Sequence, residues 1–180
     1  MTHAAADAPS PAPALPGVKT LLIVWHTMTG GTQQMARAAA DGAADEPALR
    51  TLLRRACDAT AADVLCADGF VFATPETLAA MSGLMKDFFD RTYYAALGRV
   101  DGRPYATLVC AGSDGSNAVR QIERIAAGWR LRAVAPALIV CTHAQTPEQI
   151  LGAKRIGADD LERCREVGAA LAAGLALGVF

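Results

Sequence analysis

Residues 19–42 read Lys19-Thr20-Leu21-Leu22-Ile23-Val24-Trp25-His26-Thr27-Met28-Thr29-Gly30-Gly31-Thr32-Gln33-Gln34-Met35-Ala36-Arg37-Ala38-Ala39-Ala40-Asp41-Gly42, and the order of residue types here decides the fold. The apolar run Leu21–Trp25 is too short for a helix and has strand length. Its apolar residues fall on both faces, as a central strand covered on both sides requires. Hydroxyls and glycines follow at once, then an Ala-rich helix expected from Thr32 to about Ala44, with Met35, Ala38 and Ala39 toward the sheet. Between the two, Gly30 and Gly31 let the backbone turn and expose its N–H groups, while Thr27, Thr29 and Thr32 offer hydroxyls. The helix start aims its unpaired N–H groups and positive dipole end at the same spot, so the loop suits a phosphate. It carries no lysine, which argues against a nucleoside triphosphate loop, and no Gly-x-Gly-x-x-Gly occurs. A glycine-containing turn capped by threonine is the competing reading of the loop taken alone.

Outward from this unit the alternation continues. Residues 1–17 are Ala/Pro-rich with no basic start or apolar core, which predicts a disordered tail, neither a secretory signal nor a transit peptide, ahead of a single domain over 18–180. Asp45-Glu46-Pro47 breaks the first helix, and Leu49–Ala56 predicts a strand whose Arg54-Arg55 pair marks its end or a solvated edge. Thr60–Cys66 reads as a short helix. Phe70–Ala73 predicts a second buried strand, ending in a loop from Thr74 to Gly83. Ser82 can cap a helix over Gly83–Tyr94, with Leu84, Phe88, Phe89 and Thr92 at helical spacing. Tyr105–Ala111 is a third buried strand that finishes in Gly112-Ser113-Asp114-Gly115-Ser116-Asn117. Val119, Ile122, Ile125 and Trp129 mark one face of the next helix. Leu131–Cys141 is the last strand, with Pro136 implying an edge or a bulge. A long connection, residues 142–157, leads to a closing helix from Asp159 to about Gly178, whose Ala/Leu run is too short to span a membrane. Five strands alternating with five helices predict a doubly wound parallel sheet. Ligands in such sheets sit past the strands' carboxyl ends, where the loops beginning at His26, Thr74 and Ala111 all fall.

Composition narrows the functions. The chain has 180 residues, about half of them apolar, enough for one domain with a substantial core. A net charge of −1 offers no electrostatic case for nucleic acid or an anionic membrane, nor the acidity that would favour docking onto basic redox partners. The five cysteines, Cys57, Cys66, Cys110, Cys141 and Cys164, are scattered without a Cys-x-x-Cys. They read as buried small apolar residues in a reducing cytosol. The histidines at positions 3, 26 and 143 lack metal spacing, so no metal is implied. His26 is placed to reach a phosphate or to be a satisfied strand-end residue; His143 reads as a surface loop residue.

Thr27-Met28-Thr29-Gly30-Gly31-Thr32 matches, at every fixed position, the phosphate signature Ser/Thr-x-Thr-Gly-x-Thr of the flavodoxin-like flavoproteins. Over roughly residues 18–176 the sequence resembles that superfamily, and within it the NAD(P)H-dependent FMN reductase and quinone reductase branches. The resemblance implies a three-layer sandwich around a five-stranded parallel sheet of order 2-1-3-4-5. It implies FMN, with phosphate on the first loop and the ring bordered by the second and third. Thr74, Pro75, Glu76, Thr77, Leu78 and Met81 then become ring-site residues, as do Gly112, Ser113, Asp114 and Gly115. Relatives place N–H groups of the second loop near the flavin N5 and pyrimidine edge, where Thr74-Pro75 and Met81-Ser82-Gly83 match their pattern. This chain has Glu76-Thr77-Leu78 where relatives commonly carry an aromatic residue, and a carboxylate close to the ring would disfavour its gaining negative charge. Glu76 reads as an exposed loop carboxylate, the alternatives being a contact with the ribityl chain or weak flavin affinity.

The function expected is an FMN-dependent oxidoreductase passing electrons from NAD(P)H to a quinone or similar small acceptor in the cytoplasm. Hydride chemistry belongs to the flavin, so no protein acid or base is required. The alternatives are a flavodoxin-type electron carrier without its own substrate, and a domain whose changed second loop has lost flavin. The resemblance further implies a homodimer or tetramer.

Overall fold

A computed structural model describes residues 17–180, so the tail expected over 1–17 lies, apart from Gly17, outside the described residues. The elements in chain order are β1 (Lys19–Trp25), α1 (Gly31–Ala43), β2 (Leu49–Arg55), α2 (Ala61–Cys66), β3 (Gly69–Thr77) and β4 (Ala80–Met81). They continue with α3 (Gly83–Ala96), β5 (Pro104–Ala111), α4 (Ser116–Gly128), β6 (Arg132–Ala133), β7 (Leu138–Cys141), α5 (Pro147–Leu151) and α6 (Ala158–Ala176).

The sheet runs β2-β1-β3-β5 in parallel, and the far edge of β5 carries β6 and then β7. Position by position this is the order 2-1-3-4-5. The segment count is seven and not five, for two local reasons. The last strand is cut in two: Tyr105 pairs with Ala133, but three residues further on Leu108 pairs with Leu138. Two extra residues therefore bulge out around Pro136, which lacks the ladder donor an edge strand can spare. The other addition is β4, which folds back antiparallel on the end of β3 through Glu76↔Met81 and Thr77↔Ala80. The expected loop after Ala73 is thus largely strand. Beyond Ala73 β3 has lost its β1 neighbour, so the donor that Pro75 lacks is not missed on that side.

Strand alternation divides the core into two slabs. On one face Leu22, Val24, Phe70, Phe72 and Val109 pack under α2, α3 and α4, with Phe88, Phe89, Tyr105 and Trp129 completing an aromatic cluster. In α3 the buried set is Met85, Phe88, Phe89, Thr92 and Ala96, an i, i+3, i+4, i+7, i+11 stripe, whereas Leu84 is 42% exposed. On the other face Leu21, Ile23, Trp25, Val71 and Leu108 lie under α1 and α6. Those two helices touch backbone to backbone. A Cβ on Gly168 would fall on the Ala39 carbonyl, and one on Gly42 on the Arg165 carbonyl. The Ala/Leu run of α6 is therefore a packing surface for α1, and no helix among the described residues is long and apolar enough to cross a membrane. The Arg54-Arg55 pair sits on edge strand β2, where Arg54 faces Asp63 at 3.5 Å and Arg55 stacks over Trp25 at 5.4 Å.

Candidate cofactor site

At the carboxyl edge of the sheet the ends of β1, β3 and β5 open onto a cavity of about 600 Å³. That falls within the roughly 300–1,000 Å³ usual for cofactor and ligand sites. Its wall includes Thr27, Met28, Thr29, Gly31 and Thr32 from the first loop, Pro75, Glu76, Thr77, Leu78 and Ala79 from the second, and Cys110, Ala111, Gly112 and Ser113 from the third. Thr142, Ala144, Ile150, Leu151 and Lys154 close it from the connection between β7 and α6.

The first loop leaves hydrogen-bond donors open. Thr27 Oγ1 accepts the Gly30 N–H at 2.9 Å, and Gly30, at φ 88°, is the N-cap of α1. No side chain caps this helix, and its first turn holds no acidic residue. Its leading N–H groups therefore lack intrahelical partners. By contrast Thr60, Ser82 and Thr146 cap α2, α3 and α5. Thr32 is 1% exposed, and its Oγ1 is one of three buried side-chain atoms without a hydrogen-bond partner among the described residues. Of these three, Thr32 is the one in the cavity wall. An unpaired buried hydroxyl costs about 1–3 kcal/mol, so a donor left open here fits a bound phosphate.

Gly31 answers to space and not to φ: a Cβ there would sit 2.6 Å from Cys110 Sγ and 3.3 Å from Lys154 Cβ. Burial pushes the Cys110 thiol pKa up, while the Thr32 hydroxyl and Lys154 pull the other way. The Thr32 hydroxyl is near enough to exert that pull, yet it forms no hydrogen bond of normal geometry.

The second loop is a two-residue hairpin whose turn, Leu78 and Ala79, has positive φ at both positions, 50° and 59°. Such a turn ordinarily carries Asn-Gly, and side chains with Cβ atoms strain it. Surrounding bonds hold it in place. Thr74 Oγ1 accepts the Ser82 N–H at 3.1 Å across the hairpin base. Asn117 donates to the Ala79 carbonyl at 2.6 Å, and Gln121 accepts the Met81 N–H at 3.0 Å. Thr74 and Met81 thus lie behind the wall, positioning it, while Leu78 stands 97% exposed at the rim. Glu76 is half-buried in the wall; with Asp114 and Asp160 it adds to the burial that raises the Cys141 pKa.

In the third loop Gly112 and Ser113 line the cavity, whereas Asp114 accepts from Ser116 Oγ at 2.7 Å and Gly115 caps α4. Gly115 combines φ 82° with a Cβ position 2.8 Å from Ile139 Cγ2, so its role is structural. Gly30 likewise shapes the first loop from outside the wall. His26 also stays outside it. Its N–H donates to the Ala73 carbonyl at 3.1 Å, and burial, then Arg55, lowers its pKa. His143 is exposed.

Sequence reasoning missed Ala79, Cys110, Ala111 and the whole contribution of residues 142–154. The strand-end pair Cys110-Ala111 followed from the alternation that placed Ala111 at the edge. Lys154 carried no local signal. It is brought to the loop by Gln34, whose side chain accepts the Ile156 N–H and donates to the Lys154 carbonyl at 2.7 Å. The Lys154 N–H itself donates to the Thr29 carbonyl at 2.8 Å. No group of three or more His, Cys, Asp or Glu among the described residues could hold a metal ion.

The sequence pattern of the family described as NADPH-dependent FMN reductase matches residues 54–145, just over half of the chain and including the second and third loops. A flavodoxin of Aquifex aeolicus is 34% identical over 93 residues, 52% of this chain and 48% of its own length. An NAD(P)H dehydrogenase (quinone) of Acidithiobacillus ferrooxidans is 29% identical over 92 residues, 40% of this chain and 46% of its own. The chain spans about half the length of these curated relatives. Among solved structures, a flavodoxin from the domain Archaea superimposes with a TM-score of 0.71 at 17% identity, covering 87% of this chain and 98% of that one. The fold is flavodoxin-like, and the chain belongs to the NADPH-dependent FMN reductase family.

Proposed function

We propose that the protein is an FMN-dependent oxidoreductase that takes electrons from NAD(P)H and delivers them to a quinone or similar small acceptor in the cytoplasm. Family membership indicates FMN, with NAD(P)H as the family's substrate. The observation that carries the reading is the conjunction, in one cavity wall, of an uncapped helix start and the partnerless Thr32 hydroxyl. When bound, FMN supplies the hydride and electron chemistry.

The chain's own residues supply binding and exclusion. Thr27, Thr29, Thr32 and the leading amides of α1 would hold the phosphate. The Pro75–Ala79 hairpin and Gly112-Ser113 would border the ring. Met28, Leu78, Ile150 and Leu151, exposed at the rim, form an apolar mouth that a flat quinone or nicotinamide can enter. Assembly into a dimer or tetramer belongs to the same proposal. It is supported by this exposed rim, and sedimentation reads it directly.

The test is NAD(P)H consumption by the purified protein with FMN and a quinone, beside a titration of apoprotein with FMN. Turnover that requires both additions is the expected result. Tight FMN binding without NAD(P)H oxidation would instead make the chain a flavodoxin-type electron carrier; its Aquifex aeolicus relative is named a flavodoxin. Absence of FMN binding would refute the site itself.

A further inference from the structure

The cavity wall contains one cationic side chain, Lys154, and one anionic one, Glu76. They come from different segments of the chain, Glu76 from the second loop and Lys154 from the connection between β7 and α6. Lys154 is bonded to the phosphate loop through Thr29 and clamped by Gln34, and its Cβ is 3.3 Å from where a Gly31 Cβ would be. Glu76 sits on the second-loop hairpin, where β4 folds back on the end of β3. The Lys154 ammonium donates to the carbonyls of Gln149, Ile150 and Gly152 at 2.5, 2.9 and 2.6 Å, capping the C-terminal end of α5. That helix has five residues, all of them exposed, so its carbonyls can turn to water when the ammonium leaves. A phosphate dianion is a stronger acceptor for an ammonium than neutral carbonyls are. The flexible four-carbon stem lets the head move while the backbone stays clamped.

We infer that Lys154 is the specificity residue for the phosphorylated end of the flavin, its ammonium exchanging from the α5 carbonyls to the phosphate on loading. The inference rests on reading this cavity as the FMN site. The charges then orient the cofactor, phosphate toward Lys154 and ring toward Glu76. FMN is selected over riboflavin by a cation contributed from beyond the phosphate loop.

The experiment measures dissociation constants of apoprotein for FMN and for riboflavin by flavin fluorescence, in the wild type and in Lys154→Met, Lys154→Arg and Arg155→Met. Arg155 is the adjacent exposed cation and serves as control. In Lys154→Met the preference for FMN over riboflavin is expected to fall about tenfold to a hundredfold, the range a hydrogen bond to a charged group supplies. Riboflavin affinity should stay within about twofold, the range in which a substitution off the ring site leaves binding. Lys154→Arg should keep most of the preference, and Arg155→Met all of it. An unchanged preference in Lys154→Met, with the wild type binding FMN, overturns the inference and leaves the FMN site standing. Equal loss in Arg155→Met overturns it in favour of diffuse charge, and a wild type that binds neither flavin overturns both.

Discussion

Gly30 and Gly31 are neighbours in one loop, yet the structure gives them opposite reasons for being glycine, and the two reasons can be separated by mutation. At Gly31 an added Cβ would lie 2.6 Å from Cys110 Sγ, 3.3 Å from Lys154 Cβ and 3.5 Å from Ile156 Cδ1. Ordinary contact is about 3.5–4.0 Å, so the thiol must retreat by roughly 1 Å from a buried position at the end of β5. Overpacking of this kind costs about 1–3 kcal/mol. Gly30 has open space, its nearest neighbour Gln34 Nε2 at 3.9 Å, but φ is +88°. Alanine there meets a conformational penalty of about 1–2 kcal/mol, which asparagine largely escapes.

Rescue therefore differs by position. In urea unfolding of the apoprotein, Gly30→Ala and Gly31→Ala should both lower the midpoint at constant slope. Gly30→Asn should recover most of the Gly30→Ala loss, and Gly31→Asn should be worse than Gly31→Ala. Cys110→Ala should offset Gly31→Ala with a coupling of about 1 kcal/mol or more and leave Gly30→Ala unaffected. The offset is partial because Lys154 and Ile156 still crowd the site. A Gly31→Ala midpoint unchanged from wild type, or equal rescue of both alanines by Cys110→Ala, would refute the geometry on which the proposed phosphate site rests.

Three further outcomes are expected. Replacing Thr32 by valine removes a buried hydroxyl that has no partner, so the apoprotein should hold its stability or gain up to about 1 kcal/mol while FMN affinity falls about tenfold or more. Urea unfolding and FMN titration of the same sample read the two signs, and parallel losses would count against a phosphate role. Replacing Leu78-Ala79 by Asn-Gly matches the turn to its positive φ values and should raise the melting temperature, by about 1–3 kcal/mol in stability. For His26 the folded pKa lies below the unfolded value, so the unfolded state binds more protons as pH falls. Stability should be level above about pH 6.5 and decline below it, and His26→Gln should flatten that decline.

How much of this was legible depended on the range over which each feature is encoded. The β1–loop–α1 unit was readable because period, turn chemistry and helix start all lie within two dozen residues. Even so, α3 shows the limit of reading by size: Leu84 groups with Phe88 as a large apolar residue at helical spacing, yet the buried stripe begins at Met85, whose spacing to Phe88, Phe89 and Thr92 is regular. The hairpin after Thr74 was hidden because Leu78-Ala79 is not a turn sequence and Pro75 reads as a strand end. Its turn is imposed by Asn117 and Gln121 from α4, some forty residues away. Lys154 was less visible still, since its position depends on Gln34, 120 residues away. Local rules reveal a strand–turn–helix loop with open donors, and they are silent about the wall that a distant segment contributes.

The departures from local consistency also share a place. The helices α2, α3 and α5 begin with capping side chains, while α1, α4 and α6 begin with glycines and no side-chain cap, at φ 88° and 82° in α1 and α4. The left-handed glycine starts of α1 and α4 fall at the carboxyl edge, as do the unpaired Thr32 hydroxyl and the strained Leu78-Ala79 turn. The chain leaves β1 for the edge strand β2 and returns to β3, so its order reverses there and the connecting loops part to form a crevice. A fold under selection for stability alone would cap those helices and place Asn-Gly in that turn, each change being worth about a kilocalorie per mole. Their concentration at one crevice follows if a ligand completes what the chain leaves open: an anion for the helix start and hydroxyl, a flat ring for the hairpin. This predicts that loading should stabilise the protein most in variants that keep those open donors, and least in Thr32→Val.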